Sequence, residues 1–266
     1  MSRLAVVGAG VMGETIIAGL VAGGWSPESV VAVDRYQPRV DEVTSRLGVG
    51  AGGSIAEAVA DAEAVLLAVK PQDAPGVLAE IGPALVPGTV LVSICAGIST
   101  ATVEVALPPG TPVVRVMPNT PAKVGEGMSA ISGGSAASAA HLEFAASMMG
   151  SIGKVVTVPE AYQDAVTAVS GSGPAYVFYV VEAMVDAGVL LGLPRDVATT
   201  LAVQTLYGSA KLLADSGEHP GRLREQVTSP GGTTAAALRE LDAHGVKAAF
   251  MAAMEACRDR SRELAG

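Results

Sequence analysis

The stretch "VVGAGVMGET", residues 6–15, decides the fold of this chain. It continues an apolar run that starts at Leu4, and it places Gly8, Gly10 and Gly13 in the spacing G-x-G-x-x-G. Between a strand and a helix, such glycines allow a tight turn, the approach of a pyrophosphate to the backbone, and close helix–strand packing. The spacing alone is weak evidence in a chain with 32 glycines. Its position between a predicted strand and a predicted helix therefore carries the prediction of a dinucleotide site.

The second predicted strand, residues 29–34, ends in an acidic residue. Asp34 follows Gly13 by about 20 residues, where a ribose-binding acid is expected. Its carboxylate would bind the ribose hydroxyls of NADH, whereas Arg35 and Arg39 directly after it would hold the 2′-phosphate of NADPH. These signals conflict, so the sequence leaves both NADH and NADPH open.

Apolar runs alternate with helical patterns through residues 1–158. Continuous apolar strands are typical of a parallel sheet that helices cover on both faces. The predicted strands lie at residues 4–8, 29–34, 62–69, 88–94, 112–117, 127–132 and 154–158, with a helix in 135–150. The pattern predicts an α/β doubly wound domain over residues 1–158.

The remainder, residues 159–266, has only helical patterns. Predicted breaks between the helices lie at residues 170–174, 192–196, 216–222 and 228–232. Several of these helices are apolar around most of their circumference, which a domain of about a hundred residues cannot cover by itself. We therefore predict an all-helical C-terminal domain that associates with a second subunit.

Composition excludes several classes of function. The 266 residues carry a formal charge of −9, so no basic footprint for nucleic acid or an anionic membrane surface exists. Cys95 and Cys257 are the only cysteines, too few for a disulfide framework or a zinc cluster, and we expect a cytoplasmic protein with buried thiols.

The long apolar stretch at residues 173–194 also admits a membrane interpretation. It contains Glu182 and Asp186, each of which would cost about 2.5 to 3.5 kcal/mol in a membrane-spanning helix. We predict a helix buried in protein.

The stretch "VTSPGGTTAAALRELD", residues 227–242, predicts an anion site at the start of a helix. Ser229 is the expected N-cap and Pro230 the expected first helical residue. Gly231 and Gly232 would leave their amides uncovered for a small carboxylate. An ordinary capped helix start would have the same sequence features, so the stretch alone leaves both interpretations open.

Side chains for catalysis are few. Thr233 and Thr234 would add hydroxyl donors one turn into this helix. The histidines are more typical of surface or capping residues than of bases: His141, His219 and His244. Two lysines in loops, Lys70 and Lys123, would reach a site at the carboxyl edge of the sheet.

Several stretches together resemble the pyrroline-5-carboxylate reductase family. They are the glycine-rich start, "AVKPQD" (68–73), "SICAGIS" (93–99), "VMPNTPAKVGEG" (116–127), "AVSGSGPAYVF" (168–178) and the 227–242 stretch, in the same order over essentially the whole chain. The resemblance implies reduction of the C=N bond of L-1-pyrroline-5-carboxylate to L-proline with NADPH or NADH. It also implies a Rossmann domain and a helical domain that interlocks two subunits, often in pentamers of dimers, with the pocket between a cofactor domain and helices of the dimer.

The resemblance also assigns site residues. Thr234 corresponds to the threonine proposed as hydrogen-bond partner or proton donor to the ring nitrogen. The implied substrate-binding residues are Asn119, Val169, Ser170, Gly171, Ser229, Gly231, Gly232, Thr233 and Thr234. The implied cofactor-binding residues are Gly8, Gly10, Val11, Met12, Gly13, Asp34, Arg35, Ala68, Val69, Lys70, Pro71, Ala96, Gly97 and Asn119.

Three rival functions remain. A β-hydroxyacid dehydrogenase would carry a catalytic lysine on the long interdomain helix, and residues 173–188 contain none. A reductase of another cyclic imine is harder to distinguish from the sequence, and a nucleotide sensor would not need a site for the carboxylate of a substrate.

The lack of a strong general acid is compatible with imine reduction. A protonated imine is already an electrophile, so the protein has to orient it and offset its carboxylate charge.

Arg115, at the end of a strand, is expected to form a structural ion pair, with an anion contact as the alternative.

Overall fold

The structure is a computed structural model that describes residues 3–265. The chain forms two compact units: Met1–Ser172 with Cys257–Gly266, and Gly173–Ala256. The domain boundary between residues 158 and 159 was placed on a change of sequence texture and stays a prediction.

The first unit contains one sheet of eight strands in the order β3-β2-β1-β4-β5-β6-β7-β8. All neighbouring strands are parallel except β6 and β7. The strands are β1 Leu4–Val7, β2 Val30–Val33, β3 Gly50–Ala51, β4 Ala64–Leu67, β5 Val90–Ser93, β6 Val113–Met117, β7 Gly127–Gly133 and β8 Gly153–Thr157. The predicted doubly wound sheet is confirmed; β3 was not predicted, because two residues produce no periodic pattern.

Helices cover both faces of this sheet. They are α1 Val11–Ala22, α2 Gln37–Leu47, α3 Ile55–Ala60, α4 Ala74–Ile81, α5 Thr100–Val105, α6 Ala139–Gly150 and α7 Gln163–Val166. Within β1, Leu4 and Val6 belong to one buried apolar cluster, and Ala5 and Val7 belong to another. Since successive side chains point to opposite faces, the continuous apolar runs reflect burial on both sides.

The strand order places the expected ligand crevice between β1 and β4. From β1 the chain proceeds outward through β2 and β3, and it then returns to β4 on the other side of β1. Ligands of open parallel sheets bind at the carboxyl ends of the strands where the order reverses. The loops after β1, β2, β4 and β5 are therefore the ones that matter for a cofactor.

The second unit is helical, as predicted. The helices that follow α7 are α8 Gly173–Leu190, α9 Arg195–Ser216, α10 Pro220–Gln226, α11 Thr233–Ala243 and α12 Val246–Ala265, whose last residues belong to the first unit. The buried cluster of this unit is small and consists of Val185, Ala198 and Ala202.

The helix α8 is not covered by its own chain. The stretch Glu160–Leu190 is long and apolar enough to span a membrane by length and composition, and only 6% of its most apolar window is buried. On α8, Phe178 is 66% and Tyr179 73% exposed. The single chain does not bury this helix, so the predicted burial in protein would come from the partner subunit that the sequence predicts.

The predicted break at residues 170–174 contains the start of α8. Thr167–Gly171 form a π-helical segment after α7, Ser172 is not helical, and α8 begins at Gly173. The amide of Ser172 donates to the Thr167 carbonyl at 2.8 Å, which closes the wider turn. Glycine and serine permit this turn as readily as a loop, and short π segments are frequent at functional sites.

Candidate functional site

The three glycines after β1 have different surroundings. Gly8 has φ +109°, and a Cβ there would lie 2.5 Å from the Ala68 carbonyl oxygen. A Cβ at Gly13 would overlap the Gly8 carbonyl oxygen, whereas at Gly10 no atom lies within 4 Å of that position. Gly8 and Gly13 are thus required by packing inside the protein, and Gly10 leaves an open approach to the backbone.

The start of α1 supplies free donors beside this opening. The amide of Glu14 makes the first helical bond, to the Gly10 carbonyl at 2.9 Å. Within residues 3–265, the amides of Val11, Met12 and Gly13 have no acceptor. An exposed helix start with free amides suits a pyrophosphate, so the residues present fit a dinucleotide.

Asp34 is bound to the backbone on both carboxylate oxygens. It accepts hydrogen bonds from the Ala9 amide at 2.8 Å and from the Tyr36 amide at 3.0 Å. The first bond fixes the turn that contains Gly8, Gly10 and Gly13, the glycine turn, to the end of β2. A carboxylate has about four acceptor positions, so Asp34 keeps capacity for ribose hydroxyls.

The structure gives different surroundings to the two arginines that were expected to hold a 2′-phosphate. Arg39 donates from Nε to the Ala9 carbonyl at 2.9 Å and pairs with both Glu42 and Glu14. Arg39 therefore holds the glycine turn in place. Arg35 is 77% exposed at its side chain and, among the residues that the structure describes, pairs with the Asp73 carboxylate alone, at 3.0 Å.

Two acids in this region were missed by the sequence analysis. Glu14 lies in the first turn of α1 and contacts both Arg39 and Arg46. Asp73 ends the 3-10 turn after β4 and holds Arg35. Complementary charge was visible in the sequence, but only the strand order brings these residues together.

The loops after β4 and β5 form the other side of the crevice. Gly97 has φ +74°, which requires glycine, and Lys70 is exposed with no side-chain partner in the described part of the chain. The Cys95 thiol lies 3.3 Å from the Val69 carbonyl oxygen and joins the two loops. Burial raises the pKa of Cys95 despite hydrogen bonds with Ser93 and Val69. This is a structural thiol.

Asn119 and the π-helical segment come together in the first unit. Asn119 Nδ2 donates to the Ser170 carbonyl at 3.1 Å, and Oδ1 accepts from the Met128 amide at 2.8 Å. A Cβ at Gly171 would lie 2.5 Å from Met117 Cε, so a larger residue there would displace the end of the Met117 side chain. Val169 remains 61% exposed.

Arg115 forms a structural ion pair, in agreement with the favoured expectation. Its Nη1 lies 3.2 Å from Oε1 of Glu160. The Glu160 carboxylate also accepts hydrogen bonds from the Thr100 amide, at Oε1, and from the Thr100 hydroxyl, at Oε2. Burial alone would raise the pKa of Glu160. The hydrogen bonds from Thr100 and the Arg115 charge outweigh it and leave the pKa below its ordinary value.

In the second unit, the 227–242 stretch begins differently from the prediction. Ser229 is not the N-cap and Pro230 is not helical: Gly232 is the N-cap, and α11 starts at Thr233. The Gly232 amide donates to the Ser229 carbonyl at 3.0 Å, and Gly231 has φ +67°. Proline and then a left-handed glycine are the central residues of a type II turn, and this turn outcompeted the helix start.

The turn leaves donors uncovered at the start of α11. The amides of Thr233, Thr234 and Ala235 have no acceptor within the described residues, and the hydroxyls of Ser229, Thr233 and Thr234 have no partner there either. Thr233 and Thr234 were expected one turn into the helix. In the structure they are its first two residues. A Cβ at Gly232 would overlap the Ser229 hydroxyl. The features needed for anion binding are present despite the corrected boundaries.

The histidines have structural contacts. His141 accepts from the Ser138 amide at 3.0 Å in a capping box at α6, and His219 accepts from the Gly221 amide at 3.1 Å as the N-cap of α10. His244 is the C-cap of α11, and Lys123 is exposed in the 3-10 segment Thr120–Val124.

Comparison with protein families gives two matches. Residues 160–264 match the family described as pyrroline-5-carboxylate reductase dimerisation, and residues 3–97 match NADP oxidoreductase coenzyme F420-dependent. The chain is 43% identical to a pyrroline-5-carboxylate reductase of Corynebacterium melassecola, over 99% of each protein. It is 44% identical to that of Mycobacterium tuberculosis, over 99% of this chain and 97% of the relative.

Solved structures agree over the whole length. A pyrroline-5-carboxylate reductase from Coxiella burnetii is 31% identical and has a TM-score of 0.95, covering 100% of this chain and 99% of that one. The Plasmodium falciparum pyrroline carboxylate reductase with NADP bound is 29% identical, with a TM-score of 0.87 and coverage of 100% and 98%. Since the agreement in sequence and fold extends through both units, the chain belongs to the pyrroline-5-carboxylate reductase family.

Proposed function

We propose that this chain reduces L-1-pyrroline-5-carboxylate to L-proline with NADPH or NADH, as the last step of proline biosynthesis. The observation that carries the proposal is the identity of 43% with a reductase of this name over 99% of both chains. The matched length extends over both units.

The cofactor would be held by the carboxyl-edge loops of the first unit. The free amides at the start of α1 would bind the pyrophosphate above Gly10, where no atom fills the space of a Cβ. Asp34 would bind the ribose hydroxyls, and Arg35 would bind the 2′-phosphate of NADPH. The loops Ala68–Pro71 and Ala96–Gly97 would border the nicotinamide, which supplies the hydride when bound.

The substrate carboxylate would be held by the start of α11. Free amides at a helix N-terminus compensate a negative charge without any cationic side chain. The Thr234 hydroxyl would donate to the ring nitrogen as the imine becomes an amine, and Ser229 and Thr233 would orient the carboxylate. We propose that Asn119, Val169, Ser170 and Gly171 of the first unit also bind the substrate.

The absence of a strong acid fits this chemistry. A protonated C=N bond accepts hydride at carbon without further activation, so the protein must orient the ring and offset the carboxylate charge. Hydroxyls and amides suffice for both tasks.

Self-association follows from the match to the dimerisation family over residues 160–264. A partner that covers α8 and α9 would bury the apolar side chains that the single chain exposes. We further propose a pentamer of such dimers, a cytoplasmic location, and no membrane or nucleic-acid partner. The formal charge of −9 supports the last point, and sedimentation of the purified protein would give the number of subunits.

The first test is the absorbance at 340 nm of purified protein with L-1-pyrroline-5-carboxylate and either NADPH or NADH. We expect oxidation of at least one cofactor together with formation of L-proline. Folded protein that binds a cofactor but oxidises neither would refute the substrate assignment, and a panel of other cyclic imine carboxylates would then identify the acceptor.

A further inference from the structure

The Arg35–Asp73 ion pair crosses the proposed cofactor crevice. Arg35 follows β2 and Asp73 ends the turn after β4, and these strands flank β1 on its two sides. The loop after β1 is the glycine turn itself. The ion pair, with Nη1 and Oδ1 3.0 Å apart, therefore joins the two loops that border this turn.

We infer that Asp73 sets the preference between NADH and NADPH by competing with the ribose 2′-phosphate for Arg35. The inference rests on the proposed function and adds a specificity residue to it. Of the two arginines that follow Asp34, Arg35 is the one available to the phosphate, because Arg39 is already bound to the Ala9 carbonyl and to two glutamates. A phosphate that reaches Arg35 must displace the Asp73 carboxylate or share the guanidinium with it.

The competition has a direction. The Asp73 carboxylate would repel a 2′-phosphate bound beside it, and the Arg35 guanidinium would have to exchange its bond to Asp73 for a bond to the phosphate. NADH has no phosphate at this position, so the same carboxylate affects its binding less. Asp73 therefore lowers the affinity for NADPH relative to NADH, in the same sense as Asp34 but through Arg35.

The ion pair is exposed enough to exchange partners. The Arg35 side chain is 77% exposed, and that of Asp73 is 26% exposed. Exposed ion pairs contribute little stability, so a ligand phosphate can break this one without unfolding the loop. The Asp34 bonds to the Ala9 and Tyr36 amides hold the backbone around Arg35 while the side chain moves.

The test is direct titration of the full protein with NADPH and with NADH, followed by cofactor fluorescence, for wild type and Asp73→Asn. We expect the dissociation constant for NADPH to fall about fivefold in this variant and that for NADH to change less. The matched control is Asp61→Asn, which removes an equivalent aspartate from the Arg3–Asp61 pair at 2.9 Å. That pair precedes β1 and β4, at the opposite edge of the sheet.

A double-mutant cycle separates the role of Arg35 from general charge. In an Arg35→Ala background, Asp73→Asn should improve NADPH binding clearly less than it does in wild type. NADPH binding that weakens or stays unchanged in Asp73→Asn would overturn the inference. Because the readout is binding, it is independent of turnover: failure of the proposed function would appear as cofactor binding without reduction of the imine.

Discussion

The side chain of Asn119 donates a hydrogen bond to the main-chain oxygen of Ser170 at 3.1 Å, across 51 residues of sequence. The Asn119 side-chain oxygen, Oδ1, accepts a hydrogen bond from the Met128 backbone amide at 2.8 Å. Both ends of the side chain are thus bound to the backbone, and one of them fixes the π-helical segment Thr167–Gly171. Asn119 positions Ser170 and Gly171, which the proposed function places at the substrate.

Asn119→Asp tests this positioning role. The variant keeps an acceptor for Met128 but replaces the donor to Ser170 with a carboxylate oxygen, which leaves one carbonyl unpaired. We expect a loss of about 1 to 3 kcal/mol in the free energy of unfolding and a raised KM for the imine. Denaturant unfolding and steady-state kinetics measure the two effects. Gln37→Glu is the control, since the Gln37 amide donates to Asp41 at an exposed site; equal behaviour of both variants would contradict the role.

The glycines of the turn after β1 should fail in different ways. Gly10→Ala introduces a Cβ into open space at φ −64°, so the protein should fold with an unchanged melting temperature. Cofactor affinity should fall by about tenfold or more, which is about 1.4 kcal/mol or more, because the Cβ occupies the pyrophosphate approach. Calorimetric melting and fluorescence titration check both expectations.

Gly8→Ala is the contrasting variant. Its Cβ would meet the Ala68 carbonyl oxygen at 2.5 Å with φ +109°, and such backbone strain costs about 1 to 3 kcal/mol. We expect a lower melting temperature for this variant. If Gly10→Ala melts lower than Gly8→Ala, the division between a packing glycine and a ligand-facing glycine is refuted.

The sequence predicted the features that local pattern determines. Seven of the eight strands were predicted, and β1, β2, β4 and β5 gave the clearest signal because burial on both faces leaves an uninterrupted apolar run. The spacing of Gly8, Gly10 and Gly13 predicted the turn, because each glycine meets a separate local requirement. Prediction from sequence succeeded for these elements because a local requirement, burial of a strand or space for a turn, determines each of them.

The remaining features depended on competition or on distant partners. Ser229 and Pro230 suit both a capped helix and a type II turn, and the positive φ of Gly231 decided for the turn. The predicted break at residues 170–174 contains the start of α8, but no local pattern predicted the π segment Thr167–Gly171 before it. The Arg35–Asp73 pair depends on the strand order, which no single stretch encodes.

Glu160 should make stability depend on pH. Its pKa is lower in the folded protein than in the unfolded chain, where neither Thr100 nor Arg115 is near. The stabilisation is therefore fully present above the unfolded pKa and is lost as pH falls through the folded pKa. Urea unfolding from pH 7 down to pH 3 should show a smaller acid loss for Glu160→Gln than for wild type. Glu28→Gln changes an exposed carboxylate and is the control; an unchanged acid profile in Glu160→Gln would exclude the effect.

Activity should require the dimer. Phe178 and Leu201 are 66% and 53% exposed on α8 and α9 of the single chain, and we expect a partner subunit to cover them. The double variant Phe178→Glu, Leu201→Glu would bury two charges in the interface, so it should be monomeric and inactive while the first unit still binds cofactor. Light scattering, turnover and cofactor titration measure these three properties.

Val105→Glu is the control for that experiment. Val105 is 89% exposed at the end of α5 in the first unit, so the same change there should leave association and turnover unaltered. An active monomer of the double variant would show that one chain holds a complete site.

Thr234 is the residue whose loss should affect chemistry most directly. Its hydroxyl has no partner within residues 3–265 and lies at the second position of α11, beside the free amides of the turn. Thr234→Ala should lower kcat by about 100-fold, the order of magnitude for removing one preorganised hydrogen-bond donor from a reaction centre, while cofactor affinity stays close to wild type. Thr234→Ser should restore most of the turnover, because it returns the hydroxyl.

The matched variant for Thr234→Ala is Thr199→Ala. The Thr199 hydroxyl donates to the Arg195 carbonyl at 2.8 Å within α9, so it is a helical threonine that is already satisfied by its own backbone. Its removal should leave kcat and KM unchanged. If Thr234→Ala behaves like Thr199→Ala, the Thr234 hydroxyl does not assist the reaction at the ring nitrogen, and the start of α11 acts only by binding the carboxylate. A raised KM in Thr233→Ala with unchanged kcat would then be the remaining evidence for that role.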